Sequence, residues 1–287
     1  MVMIGPEIIR ATMSRERMYG PASNQQMWQY HSRSDFHSKV AAVALTIDLM
    51  NESEELREDV EAGRVGFSIN PKMRDQTNRE KTLDLRFGRI DDALPLRRAR
   101  TLDRVIEDYE MVLDEPQWAM VHALPTLREA HAKEQLIVLE NKACMTAFAK
   151  AAPRLRNELE GAVQAINATD SRAVAGGLVL VNAAETFISP VLRDNGYLPK
   201  EERRPSHHLM PEDAARSVKK LQNIPLRSDA NTLGYDALGI LVVEAANDGS
   251  PWRLVDDPEF GAPEPQSVWN YTKVVQRLAT LYRERKH

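Results

Sequence analysis

The chain has 287 residues, of which 43% are hydrophobic and 28% charged, the balance of a globular protein able to bury a sizeable core. One cysteine, Cys144, excludes an intrachain disulfide and fits a reducing cytoplasm. A net charge of −4 excludes a polycation, so any nucleic-acid binding must use a local basic surface. The stretch 72–104, with ten Lys or Arg against six Asp or Glu, is one candidate, although a solvated surface is the simpler reading of charge alone. The opening MVMIGPEIIRATMSRERMYG does not read as a signal peptide. No apolar run approaches the length of a bilayer span, so a membrane partner is not expected.

Residues 34–50, SDFHSKVAAVALTIDLM, predict a helix capped by Ser34 or Asp35 and apolar nearly all round, hence well buried. A short second helix ends at Gly63. Residues 64–70 alternate Val65, Phe67 and Ile69 as a strand does. Pro71 to Asn78 is a polar connection. Residues 81–88 alternate again, which sets Leu83, Leu85 and Phe87 on one face and Thr82, Asp84 and Arg86 on the other. Residues 135–142, QLIVLENK, open with the apolar run of a buried strand. Pro153 suits the first turn of a helix carrying Leu155, Leu159, Ala162, Val163 and Ile166. Residues 174–182 are a further buried strand, in which Gly176 and Gly177 suit close packing rather than phosphate binding.

The core order is thus helix, strand, strand, strand, helix, strand. Residues 89–134 interrupt it as a charged, largely helical insertion, with a possible strand at QWAMVHAL. Beyond the core come a helix at 211–222, a buried segment at 236–246, a Pro-rich loop at 250–265 and a closing helix at 266–284. No linker demands two independent domains, so 1–287 reads as one unit: a core over about 28–190, the insertion 89–134, and a C-terminal elaboration over 200–287.

The informative constellation is Asp84 with Glu140-Asn141-Lys142. Alternation puts Glu140 and Lys142 on one face of their strand. If that strand lies beside 81–88, Asp84 reaches the same spot. Two carboxylates and nearby backbone oxygens suit a hard divalent cation such as Mg²⁺, which can activate water and neutralise a phosphodiester in its transition state. Lys142 can orient that water or stabilise the developing charge; as a general base it would need a depressed pKa. A Glu-x-Lys pair at a strand end also has a bland explanation, since strands often finish in polar residues that attract each other.

Helix–strand–strand–strand–helix–strand, with Asp on the second strand and Glu-x-Lys on the third, resembles the PD-(D/E)xK nuclease superfamily. The phrases HSRSDFHSKVA, NPKMRDQTNREKTLDL and LIVLENKACMTAFAKAAPRLRNELEG look like restriction-endonuclease-like proteins of bacteria and their mobile elements. The resemblance implies an α/β fold with an αβββαβ core and a mixed central sheet flanked by helices. It implies a Mg²⁺-dependent endodeoxyribonuclease acting on double-stranded DNA, of Type II-like restriction character. Asp84 and Glu140 are then metal ligands, and Lys142 acts in hydrolysis. A homodimer, and possibly a cognate DNA methyltransferase acting on the same site, are implied partners. The pattern departs from the family in two respects: Leu83 stands where proline often precedes the aspartate, and 55 residues separate Asp84 from Glu140. Two alternatives stay open. A hairpin pairing 117–129 with 135–142 would put Pro125-Thr126 at the Pro-Asp position, implying a degenerate site, and Asp114 is a third candidate. A non-catalytic DNA-binding or regulatory protein on the same fold is the rival function.

Around this centre, Lys72, Arg74, Arg79 and Lys81 lead into the aspartate's strand and are candidates for DNA phosphate contacts, against ordinary loop charge. His37 and Lys39 sit where the superfamily often keeps an accessory acid; a helix-edge position reaching solvent is the plainer reading. Asp48 reads equally as accessory acid or helix-end surface residue. Cys144 reads as a buried small hydrophobe. His207-His208 lacks metal-site spacing, and no phosphate-loop motif is present.

Overall fold

The computed structural model describes residues 2–19, 26–74, 78, 80–90, 99–228 and 232–285. Helix α1 (Gly5–Met13) is followed by a small antiparallel pair, β1 (Arg17–Tyr19) and β2 (Gln26–Trp28). Then come α2 (Phe36–Glu52), α3 (Glu54–Glu61) and β3 (Val65–Ile69). A two-stranded hairpin of β4 (Lys72–Arg74) and β5 (Glu80–Thr82) leads into β6 (Leu85–Ile90). Helices α4 (Leu102–Asp108) and α5 (Glu115–His122) precede the long β7 (Ala132–Cys144). Next are α6 (Phe148–Thr169), β8 (Val174–Asn182), a short pair of β9 (Thr186–Phe187) and β10 (Ser206–His207), and α7 (Glu212–Leu221). Strands β11 (Ala237–Glu244) and β12 (Arg253–Val255) and helix α8 (Tyr271–Arg285) close the chain.

Six strands form one mixed sheet in the order β12-β11-β8-β7-β6-β3. β7, β8 and β11 run parallel, while β3 with β6, β6 with β7, and β11 with β12 are antiparallel. Period-two alternation sends each strand's apolar residues to two separate cores. Phe67, Phe87, Leu139 and Leu178 face α2 and α8, which contribute Val43, Leu45, Val274 and Leu278. Val138, Val179 and Leu238 face α6 and α7, which contribute Leu155, Leu159, Val163 and Leu221. The protein is therefore mixed α/β, with a mixed central sheet flanked by helices on both faces.

Several elements differ from the sequence reading. The strand expected over 81–88 is two strands broken at Asp84, so Leu83 joins Met73 in the α6-side core while Leu85 and Phe87 join the α2 side. The alternation of Leu83, Leu85 and Phe87 therefore does not hold across Asp84. The described residues of 89–134 form no separate arm. β6 and β7 extend into it from both ends, and Leu102, Val105, Ile106, Val121 and Leu127 are buried in the main core. The strand expected at QWAMVHAL is helix α5, because Asp114 caps it: its carboxylate accepts from the Gln117 N–H at 2.8 Å while the Gln117 side chain accepts from the Asp114 N–H at 2.9 Å. Asp114 is thus a helix cap. Helix α6 starts at Phe148, which leaves Pro153 inside it rather than in its first turn.

Asp48 is neither accessory acid nor surface residue. It is 1% exposed, and its carboxylate accepts from the N–H groups of Ile4 and Gly5 at 2.9 and 2.7 Å and from the Tyr271 hydroxyl at 2.9 Å. One carboxylate thereby ties α1 and α8 to α2. A Cβ at Gly5 would collide with that Tyr271 oxygen, so only glycine lets α1 approach. Asp48→Ala strands three buried donors, and each unpaired buried group costs about 1–3 kcal/mol. The variant should lose about 3 kcal/mol or more of stability, read as a lower midpoint in urea unfolding; an unchanged midpoint would show that α1 docks without this clamp.

Candidate active site

The sheet parts at Asp84. Leu85 pairs with Leu139 in the antiparallel ladder between β6 and β7, and the Asp84 N–H still donates to the Leu139 carbonyl at 3.2 Å. One step further along this register stands Asp84 opposite Glu140. There the chain leaves β7 and turns into the β4–β5 hairpin, which packs on α6 through Met73 and Leu83. The Asn141 N–H thus loses its cross-strand carbonyl, and the Asp84 carboxylate takes its place, accepting through Oδ2 at 2.6 Å. A side-chain acid finishes the ladder, which is why it sits 6% exposed in the fork.

The other Asp84 oxygen accepts from the Ser38 hydroxyl and from Lys39 Nζ, both at 2.8 Å. Lys39 is 3% exposed and also lies 3.6 Å from Asp35. It does not reach solvent, because a buried ammonium needs a carboxylate within contact distance. The sequence reading expected this lysine to reach solvent from the helix edge, and the structure buries it. Its signal was a lysine directly before the apolar run VAAVAL, on a helix with no polar face to receive it.

Glu140 and Lys142 point to the α6 side of β7, as alternation requires. Lys142 Nζ lies 2.7 Å from Glu140 Oε1 and 3.8 Å from Glu158 on α6. Burial lifts the Glu140 carboxyl from its ordinary 4.5 to about 7; repulsion from Asp84 adds to the lift, and Lys142 only partly offsets it. Burial alone would depress Lys142, but the attraction of Glu140 outweighs it and holds the ammonium above the ordinary lysine value. Lys142 is therefore a cation here, not a base. Burial lowers His37 to about 4 despite Asp84, leaving a neutral imidazole against the ring of Tyr30.

The wall beside Glu140 is main chain. Gly177 of β8 pairs with Glu140 in parallel register, and a Cβ there would lie 2.1 Å from the Glu140 carbonyl oxygen. Close packing is thus what Gly176 and Gly177 provide.

The candidate phosphate contacts divide. Lys81 Nζ turns inward and donates to the Glu158 carbonyl; burial lowers its ammonium while Glu140 partly restores it. Lys72 and Arg74 stay exposed on the β4–β5 hairpin, where Lys72 pairs with Glu80 at 2.8 Å and Arg74 with Asn78 at 2.9 Å. Arg79 lies outside the described residues. Cys144 is buried, and its thiol is pushed up to about 12 by desolvation. His208 bonds Thr146 and the Ala184 carbonyl rather than a second ligand.

The donors suit a hard cation in kind: two buried carboxylates that repel each other, and an orphaned oxygen on the residue beside Asp84. Asn141 Oδ1 is buried without a hydrogen-bond partner, while its amide nitrogen donates to the Ser38 carbonyl at 3.2 Å. Among the described residues no group of three or more His, Cys, Asp or Glu gathers as a ready ligand set. Comparison with protein-family models, curated proteins and solved structures returned no match. Among the described residues no helix is long and apolar enough to cross a membrane.

The lifted Glu140 carboxyl has a measurable sign. A carboxyl raised in the fold favours the fold while protonated, so its contribution is complete below about 4.5 and is lost as pH rises through about 7. Glu140→Gln is neutral throughout. In EDTA the variant's melting temperature should gain on the wild type from pH 5 to about pH 7 and level off by pH 8. Parallel curves would show that Glu140 titrates as an ordinary surface acid.

Proposed function

We propose that this chain is a Mg²⁺-dependent endodeoxyribonuclease of the PD-(D/E)xK type, hydrolysing phosphodiester bonds of double-stranded DNA, with Asp84, Glu140 and Lys142 as its working residues. The observation that carries this reading is the fork at Asp84. It stands an aspartate opposite the glutamate of a Glu-x-Lys strand, within an element order of helix, three antiparallel strands, helix and parallel strand.

Asp84 and Glu140 would hold the cation, which supplies charge neutralisation at the phosphate and an acidified water. The protein's own groups do the rest. Lys142 keeps its proton and can set a fixed positive charge beside a phosphate whose negative charge grows in the transition state. Ser38, Lys39 and the Asn141 N–H fix the Asp84 carboxylate from three sides. Glu158 restrains Lys142 from the helix opposite. The exposed Lys72 and Arg74 on the β4–β5 hairpin remain candidates for backbone contacts outside the centre. Type II-like restriction activity, a homodimer and a cognate methyltransferase are finer readings that rest on the resemblance alone.

One observation favours the rival, a non-catalytic DNA-binding protein: both carboxylates already carry an ammonium partner, Lys39 on Asp84 and Lys142 on Glu140. Plasmid cleavage separates the two. Purified protein should nick or linearise unmethylated plasmid of varied sequence with Mg²⁺ and not with EDTA. Asp84→Asn, Glu140→Gln and Lys142→Ala should each slow cleavage by about 10²–10³-fold or more. All three should stay folded and bind DNA, because phosphate contacts elsewhere provide most of the affinity. Normal cleavage by all three variants would remove this motif from the chemistry; binding without cleavage by the wild type would leave the rival.

A further inference from the structure

Beyond the C-terminal end of β7 lies a hollow of about 220 Å³ that the chemistry above does not use. Tyr30, Ser32, Thr146, Lys150, Arg154 and Ser189 supply its polar lining. Tyr30 is 6% exposed, packed against His37 and Phe187. Its hydroxyl makes no hydrogen bond among the described residues. Burial pushes that phenol up, and the charge of Arg154 reaches it, so the group is a protonated donor without an acceptor.

Three further features point to an anion as that acceptor. Helix α6 starts at the hollow with no side-chain cap and no acid in its first turn, so the positive end of its dipole lies beside the space. Lys150 has no ion-pair partner among the described residues. Arg154 meets only Glu158, at 3.5 Å. Lys150, Arg154 and Tyr30 therefore line the hollow with Glu158 as their one ion-pair partner among the described residues.

The hollow is also joined to the candidate active site. Lys150, Arg154 and Glu158 follow one another at intervals of four residues, hence along one face of α6. Glu158 touches both Arg154 and Lys142. A cationic stripe thus runs from Lys142 to the hollow, over about 12 Å of helix.

We propose that this hollow is a phosphate subsite, which holds a backbone phosphate of the DNA strand next to the phosphate held at Glu140 and Lys142. Lys150 and Arg154 supply charge, and the hydroxyls of Tyr30 and Ser32 supply directed hydrogen bonds. The identity of the polymer rests on the nuclease reading; the recognition of a phosphate rests on the donors alone.

The test is binding in EDTA, where no cleavage interferes. A fluorescein-labelled 20-base-pair duplex is titrated by fluorescence anisotropy against the wild type, Lys150→Gln with Arg154→Gln, and Tyr30→Phe, over a range of NaCl concentrations. Circular dichroism and melting temperature confirm that each variant is folded. Removal of the two charges should weaken binding about tenfold and reduce the slope of log affinity against log salt by about 1. Tyr30→Phe should weaken binding about tenfold with the slope unchanged, because a neutral hydroxyl releases no counterion. A merely structural tyrosine would move the melting temperature and not the affinity. Wild-type binding matched by both variants would overturn the subsite and leave the nuclease reading standing. Weakened binding by the variants, with no Mg²⁺-dependent cleavage by the wild type, would uphold the subsite and overturn the nuclease. Absence of salt-dependent binding by the wild type would overturn both.

Discussion

A carboxylate standing in for a carbonyl organises the centre of this protein. β6 and β7 could pair through one more residue, but the chain is drawn off to α6 by Leu83 and Met73. The Asn141 N–H, left without its cross-strand partner, must find an acceptor or bear the penalty of an unpaired buried donor. Asp84 supplies it. The charge thereby brought inside requires compensation, and α2 provides it through Lys39 and Ser38. Fork, buried acid, buried ammonium and docked helix are therefore successive consequences of one break in a ladder. Glu140 belongs to the same chain of causes: its carboxyl faces the opening fork, and Asp84 adds to the lift that burial gives it.

The element order was legible because burial leaves a direct trace in composition. Residues 174–181 and 136–139 are unbroken apolar runs, and they became central parallel strands. Helix α2 is apolar nearly all round and is buried nearly all round. What the sequence hid were interactions between residues far apart in the chain. Asp48 sits among apolar helix positions like any helix-end acid, and only the arrival of Ile4, Gly5 and Tyr271 turns it into an anchor. The run QWAMVHAL has strand-like apolar content, yet the Asp114–Gln117 cap decides for helix. That cap was readable locally, since Asp followed by Gln three positions later is a helix-start pattern.

The site was legible in part for the same reason. Glu140 and Lys142 share a face by alternation alone, which needs no tertiary knowledge. Asp84 was expected in mid-strand, and it instead ends one; its position opposite Glu140 follows from register, which the 55 residues between them could not disclose. Lys39 was the residue most open to better reading. A lysine leading straight into VAAVAL either snorkels or pairs, and a helix without a polar face leaves it only the second choice. Glu158 could not have been found, because its role depends on how α6 lies across β7.

β7 is bonded to β6 over Ala132–Leu139 and to β8 over Ile137–Cys144, so its middle is paired on both sides, and β8 is bonded again to β11. Backbone amides in such a position exchange with solvent only when the whole domain opens, whereas short, partly exposed segments open at far lower free energy. Glu140 and Lys142 follow directly on the stretch paired on both sides and stay paired to β8. The far wall of the neighbouring hollow has a different character: Val191 and Leu192 follow the two-residue strand β9 and are largely exposed. Local stability should fall from the Glu-x-Lys strand toward that wall. Reactive groups on a rigid strand keep their spacing while a bulky ligand enters or leaves, and the adjustment falls to the segment that can yield without unfolding the rest.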